Sequence, residues 1–472
     1  MNNWESLGLL LLFMAIVWIV DRKKFKKEGI MYLRRTERGL GMIDAFAKKY
    51  TKSLRSLSDF AVVFSFGYLG LKYLYNERKI AKENKSIWPL FLSYTIIMGI
   101  IAFVFDPLFS GLLSFFNATD SMIALVVPGL KILTFAFGVS GYAFFSLFLG
   151  AFAVALNAFG GNDMQSPISL VLPVNVPESY GLPVYSVPLI PWLISIFVIL
   201  VVHEFSHAII SRVEGIRVKA MGYGFMLVMP LGFAEPDEKQ IEKSSSLKKT
   251  RIYAAGSFAN FITACVFILI MIGTTFAVAP LLKDVQTQTG VGYGQTQAGY
   301  PASEYMPISG VITNINDVPV YNLTDFTGGM AMVVPGENIT LVIDNETYNF
   351  STVNDPRNES NAYIGITQLY ILTDVKEELK GTGSEFFVNA LNYIYELFGW
   401  IILLNIGIGI ANLMPLKPFD GGLVAEEVIK GSKFPKPHRI SGVIGQLMLA
   451  IILFALFGPL AIKGFTAFVG LF

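Results

Sequence analysis

The sequence predicts a multi-pass α-helical membrane protein of about eight spans, with a small, mainly β domain inserted between two of them. Three observations predict it. Of the 472 residues, 53% are hydrophobic and only 15% charged, where a soluble chain carries roughly a quarter charged. Apolar runs of about 20 residues, enough to cross a hydrocarbon core of roughly 30 Å, recur from end to end. Residues 283–375 alone break that pattern, being rich in Gly, Thr, Asn and Val with apolar residues at alternate positions.

Taken in order, the expected spans are 4–20, 58–76, 88–107, 133–158, 187–211, 252–278, 392–414 and 441–470. The first, Trp4–Val20, lacks the basic start and small-residue cleavage site of a signal peptide and is read as a span. Between Asp21 and Arg55 there are twelve Lys/Arg and four acids. Such a segment after an apolar run reads as cytoplasmic or as a lipid-headgroup contact. The bilayer therefore accounts for this charge, and no nucleic-acid partner is expected. The stretch Arg212–Arg251, with Lys219, Lys243, Lys248 and Lys249, reads as cytoplasmic too. The 187–211 span then runs inward and the 252–278 span outward. Residues 58–159 leave two options open: either 58–76 spans and 120–132 does not, or Arg78–Lys85 stays inside and 121–159 forms a hairpin. The only cysteine, Cys265, excludes disulfides within the chain and thiolate metal sites.

In the inserted segment, Val311-Thr313-Ile315 and Ile339-Leu341-Ile343 alternate as strands do, and Asn316-Asp317 and Asp344-Asn345 supply turn chemistry. Five Asn-x-Ser/Thr patterns (Asn322, Asn338, Asn345, Asn349, Asn358) crowd into it and point to an extracytoplasmic surface. The positions of the basic loops point independently to the same side.

Chemistry concentrates in Val202-His203-Glu204-Phe205-Ser206-His207, near the inner end of its span. Histidines at i and i+4 share a helix face, so both imidazoles can reach one Zn²⁺. Glu204 projects beside them, placed to take a proton from water at the metal. The competing reading is polar packing between helices. Three ionisable groups within five residues of an apolar span weigh against it, because each costs about 2.5–3.5 kcal/mol near a bilayer centre. A catalytic zinc needs a third protein ligand, and no further Cys or His is suitably placed. Asp420, in Asn412-Leu413-Met414-Pro415-Leu416-Lys417-Pro418-Phe419-Asp420-Gly421-Gly422, follows an inward-running span and arrives at the depth of His207. The prolines interrupt the helix there and let a carboxylate turn into the bundle. The alternative for Asp-Gly-Gly is an ordinary helix stop.

His-Glu-Phe-Ser-His in one span and Asn-x-x-Pro-x-x-Pro-Phe-Asp-Gly-Gly in a later one resemble the site-2 protease family of intramembrane zinc metalloproteases, archaeal members in particular. Ala254-Ala255-Gly256-Ser257-Phe258-Ala259-Asn260 resembles the family's Ala-Gly-Pro-x-x-Asn start of a core helix, with Ser257 where proline is usual. The resemblance implies zinc held by His203, His207 and Asp420, with Glu204 as the catalytic base and Asn412 contacting the substrate backbone or the developing oxyanion. It implies a membrane-embedded β-hairpin at Lys219–Pro230 that offers a strand edge to an unwinding substrate; a re-entrant loop with no substrate role is the alternative. It also implies that Ser309–Val320, a helix over Thr324–Met332 and strands near 339–343, 347–352 and 362–366 form a PDZ-like domain. That domain would bind an extended peptide or chain end, or exclude substrates with bulky ectodomains.

The expected division is 1–184 for N-terminal spans and basic segment, 185–282 and 376–472 for the two halves of a catalytic membrane core, and 283–375 for the PDZ-like domain. The expected activity is hydrolysis of peptide bonds in or near the spans of single-span membrane proteins, at a site near the cytoplasmic side of the cell membrane. Two other readings use the same residues: a metal-ion transporter and a catalytically inactive membrane scaffold. Transporters usually show repeats in their span pattern, and none is visible here.

Overall fold

The computed structural model describes every residue except 1–2, 22, 84–85, 105–119, 161–165, 167, 174–182, 227–228, 298, 357, 432–434 and 470–472. The chain divides into two compact units, Met1–Leu269 with Glu396–Phe472, and Ile270–Tyr395. Among the described residues five helices are long and apolar enough to cross a membrane: Val127–Leu156, Leu189–Val213, Ser246–Val285, Gly383–Asn412 and Pro437–Phe465.

The first unit opens with helix α1 (Asn3–Asp21), the hairpin β1 (Lys26–Glu28) and β2 (Met31–Thr36), and helices α2 (Leu40–Lys49), α3 (Thr51–Ile80) and α4 (Trp88–Val104). The expected spans 4–20, 58–76 and 88–107 fall on α1, α3 and α4, none of which is among the five; α4 is apolar but short, and residues 105–107 lie outside the described ones. Helix α3 carries Asp59, Lys72 and Arg78, which dilutes its hydropathy.

Helix α5 (Asp120–Gly160) consists of two helical stretches joined at Gly138, where the backbone is not helical. Glycine permits this break. Gly67 in α3 (φ 59) and Gly138 (φ 65) face each other so closely that a Cβ at Gly67 would lie 2.5 Å from the Phe135 carbonyl oxygen, and one at Gly138 2.5 Å from that of Phe64. Only residues without a Cβ fit both the left-handed backbone and the contact. Around this crossing the core packs Val62, Phe64, Leu74, Tyr94, Val139, Leu247, Phe258, Leu413 and Val428.

The short parallel pair β3 (Leu170–Leu172) and β4 (Val184–Ser186) precedes helix α6 (Leu189–Val213). Strands β5 (Val218–Met226) and β6 (Met229–Pro236) form the expected hairpin, and β2 pairs with β5, giving a four-stranded antiparallel sheet in the order β1-β2-β5-β6. The hairpin is therefore not isolated: the basic N-terminal segment completes its sheet. Glycines at alternate positions make room, since a Cβ at Gly222 or Gly224 would lie 2.2 or 2.3 Å from a β2 carbonyl oxygen. The short helix α7 (Glu238–Glu242) is capped by Asp237, and α8 (Ser246–Val285) follows.

A buried ionic cluster ties α3, the end of α6 and α8 together. Arg251 on α8, 1% exposed, donates to both carboxylate oxygens of Asp59 at 2.7 and 3.0 Å, to Glu83 at 2.7 and 3.2 Å, and to Glu214 at 3.3 Å. Arg78 adds a 2.5 Å bond to Asp59, and Arg55 a 3.0 Å bond to Glu214. Each buried charge thus has partners, as burial requires.

The second unit contains β7 (Gln286–Thr296), α9 (Pro301–Tyr305), β8 (Gly310–Ile315), β9 (Val318–Pro319), α10 (Leu323–Ala331), β10 (Asn338–Ile343), β11 (Glu346–Ser351), β12 (Val353–Asp355), β13 (Asn358–Tyr363) and β14 (Ile366–Val375). Its sheet runs β11-β10-β8-β7-β14, antiparallel throughout, with β9 on β8 and β12 paired to β13. Asn316-Asp317 (φ 47, 66) and Asp344-Asn345 (φ 48, 70) have the two left-handed residues of tight hairpin turns. Asn322 accepts bonds from the amides of Thr324 and Asp325 and caps α10. The strand expected near 362–366 is split, because Gly365 (φ 86) turns the chain between β13 and β14. Val291, Tyr293, Ile312, Ile315, Ile339, Leu341 and Ile343 fill the core. Helices α11 (Gly383–Asn412), α12 (Asp420–Gly431) and α13 (Pro437–Val469) complete the chain.

Candidate metal centre

Helix α6 places His203, Glu204 and His207 within about one turn, and tertiary packing adds Asp420. His203 Nε2 and His207 Nε2 lie 3.1 Å apart, and Asp420 Oδ2 lies 3.3 Å from the first and 3.4 Å from the second. Donors each about 2.1 Å from a shared tetrahedral centre would be about 3.4 Å from one another. The three gaps match that spacing closely enough that two imidazoles and a carboxylate fit one small tetrahedral cation. One nitrogen or oxygen from each of the three, and from no further His, Cys, Asp or Glu among the described residues, forms this group.

The sequence around Asp420 explains its position. Asp420 opens α12 and does not stop a helix. A Cβ at Gly421 would lie 2.2 Å from the Leu413 carbonyl oxygen, and one at Gly422 2.4 Å from the Leu416 carbonyl carbon. The glycine pair therefore lets the start of α12 press against the Leu413–Lys417 turn, which aims the carboxylate at the histidines.

Helix α8 supplies the wall opposite. His207 Nδ1 lies 2.8 Å from the Ile252 carbonyl oxygen, which can only accept, so Nδ1 carries a proton and the neutral ring would present its Nε2 lone pair to a cation. Ser257 donates to Asp420 Oδ2 at 3.0 Å. Asn260, fully buried, puts Nδ2 3.4 Å from His203 Nδ1. Gly256 lies between these contacts; a Cβ there would stand 2.3 Å from His207 Nε2 and 2.7 Å from His203 Nε2. The space the two histidines converge on is kept open by a missing methyl group.

Glu204 Oε2 accepts the backbone N–H of Ala234 on β6 at 2.8 Å. That strand is the edge of the four-stranded sheet. Asn412 closes α11, half-buried, and is not among the contacts that join His203, His207 and Asp420. Ser257 and Asn260 carried a sequence signal only as parts of a helix start, and Ser257 as a missing proline. Of Arg251 and its partners, Asp59 alone stands out in the sequence, as an acid inside an apolar run.

A model of peptidase family M50 matches residues 191–455, more than half of the chain. An uncharacterized protein of Methanocaldococcus jannaschii is 25% identical over 270 residues, covering 56% of this chain and 63% of that protein. A membrane-bound transcription factor site-2 protease homolog of Arabidopsis thaliana is 25% identical over 148 residues, 31% of this chain and 28% of that protein. The chain thus spans less than two thirds of either relative's length.

Proposed function

This chain belongs to peptidase family M50, and on that footing we propose that it is an intramembrane zinc metalloprotease that hydrolyses peptide bonds in or near the spans of single-span membrane proteins. The observation that carries the reading is the convergence of His203, His207 and Asp420 at tetrahedral spacing beside Glu204. Those three side chains would hold the zinc, leaving its fourth position open. Bound there, zinc would polarise a peptide carbonyl and lower the pKa of water toward 7.

Glu204 is the base in this reading. The Ala234 amide holds Oε2 at 2.8 Å, so Oε1 is the atom that takes the proton of the attacking water. The same carboxyl then passes that proton to the leaving nitrogen, which departs as a neutral amine. The edge position of β6 supports a substrate that lies extended beside the sheet, with its backbone donors and acceptors paired where lipid offers none. Asn412 is assigned to the substrate side, as an amide donor to backbone or oxyanion.

Residues 283–375 of the second unit are assigned as a PDZ-like module, on the strength of their antiparallel sheet and the helix α10. It would lie outside the cytoplasm and take an extended peptide or chain end, while basic loops keep the active site near the inner face. The eight-span topology belongs to the same proposal.

The test compares purified wild type with Glu204→Gln on a panel of single-span substrates, with zinc measured in both. The variant should keep about one zinc per chain and cut nothing. Cleavage by the variant at the wild-type rate would refute the mechanism.

A further inference from the structure

Ile252, Gly256 and Asn260 are spaced i, i+4, i+8 and so share one face of α8. They lie against His207 and His203, which are i, i+4 on α6. Ile252 meets His207, Asn260 meets His203, and Gly256 sits between the two rings. Ser257, the next residue, reaches Asp420. One helix therefore touches all three members of the cluster, while contributing none of them.

The contact to His203 is incomplete as it stands. Nδ2 of Asn260 faces His203 Nδ1, and Asn260 Oδ1 is buried with no hydrogen-bond partner among the described residues. A buried acceptor without a partner keeps its full desolvation penalty. For His203 to offer its Nε2 lone pair to a cation, Nδ1 must carry the proton, and a protonated Nδ1 needs an acceptor, not an NH₂ group. Turning the amide by half a rotation about Cβ–Cγ brings Oδ1 to Nδ1. That change gives the oxygen a partner and sets the imidazole in the ligating tautomer, while the NH₂ group moves to the position the oxygen held.

We propose that Asn260 is a positioning residue, whose Oδ1 accepts the Nδ1 proton of His203 as the Ile252 carbonyl does for His207, while Ser257 Oγ orients the Asp420 carboxylate. Helix α8 is then the outer shell of the cation site, and the Gly256 gap lets its backbone approach close enough to act as one. The Ile252 carbonyl, the Ser257 hydroxyl and the Asn260 amide, on just over two turns of one helix, define which face of each side chain points inward. The inference rests on the zinc reading above.

The test is the zinc dissociation constant of the full-length, detergent-purified protein, measured by competition with a chromogenic chelator, together with the visible absorption of the Co²⁺ form. Variants are Asn260→Leu, Asn260→Asp and Ser257→Ala. Removing an outer-shell partner typically weakens metal binding about 10–100-fold, and that loss is expected for Asn260→Leu. Asn260→Asp can only accept, so it should bind at least as tightly as wild type, whereas a purely space-filling role predicts that Asn260→Asp and the similarly shaped Asn260→Leu bind alike. Ser257→Ala should shift the Co²⁺ bands, because a carboxylate freed on one oxygen changes its ligand field. If wild type binds zinc and Asn260→Leu and Ser257→Ala match it in affinity and spectrum, the positioning role is overturned and the zinc site stands. Failure of Asn260→Asp to bind, with that variant folded, also overturns it. If wild type and every variant bind no zinc, the zinc reading itself is what fails.

Discussion

Arg251→Met removes the charge at the centre of the buried cluster while keeping an unbranched side chain of similar reach. Arg251 engages Asp59 through two hydrogen bonds and also reaches Glu83 and Glu214. Asp59 and Glu214 have side chains 3% and 1% exposed, so the substitution leaves both carboxylates in the interior. Breaking a buried pair by removing one partner costs about 3–5 kcal/mol, since the survivor keeps its desolvation penalty. Arg78 still holds Asp59 and Arg55 still holds Glu214, which places the expected loss at the lower end, about 3 kcal/mol. The assay is reversible unfolding in mixed micelles, run as a double-mutant cycle with Asp59→Asn. A coupling of about 1–3 kcal/mol is expected, because Asp59→Asn relieves part of the charge that Arg251→Met strands. If Arg251→Met unfolds within about 0.5 kcal/mol of wild type and shows no coupling, the cluster is not what ties α3 to α6 and α8.

Two further outcomes can be measured directly. Gly256→Ala puts a methyl carbon 2.3 Å from His207 Nε2 and 2.7 Å from His203 Nε2; the rings must move apart, and we expect zinc content to fall below one-tenth per chain while helix content by circular dichroism stays at the wild-type level. Retention of full zinc would mean α8 yields at no cost. Partial burial pushes the Glu426 carboxyl up, but hydrogen bonds from Lys417 and Lys430 outweigh it and hold its pKa at about 2. A folded value below the unfolded one of about 4.3 means a stabilisation that is complete above that pH and lost as pH falls toward 2. Lys417→Met should flatten this acid limb of the stability–pH curve, and an unchanged limb would show that Glu426 does not contribute to it.

The cation site was partly legible because two of its three members are local. The i, i+4 spacing of His203 and His207 is a property of any helix, and the apolar span around them makes their polarity conspicuous. Asp420 could be reached only by topology, through the depth at which its span ends. Its companions were not legible: Asn260, Ser257 and the Ile252 carbonyl act through the crossing of α6 and α8, and a backbone carbonyl has no sequence signature at all. In the second unit, the Asn316-Asp317 and Asp344-Asn345 turns were readable because left-handed residues are a local cost that Asn and Asp tolerate. The split at Gly365 was not, since a glycine among alternating residues does not announce which way it bends.

By itself the sequence determined that the chain is built for a membrane, that a β segment interrupts it, and that two histidines and a glutamate share one helix face. These follow from local physics: hydropathy over about 20 residues, period-two alternation, and the 3.6-residue turn. Only the tertiary structure decided that β1 and β2 complete the sheet of β5 and β6, that Gly67 and Gly138 break two helices at their crossing, and that Arg251 gathers acids from three segments. It also decided that Asp420 meets His203 and His207 across a gap held open by Gly256. Those contacts join residues far apart in the chain, and which distant side chains become neighbours is set by packing, which no local window contains.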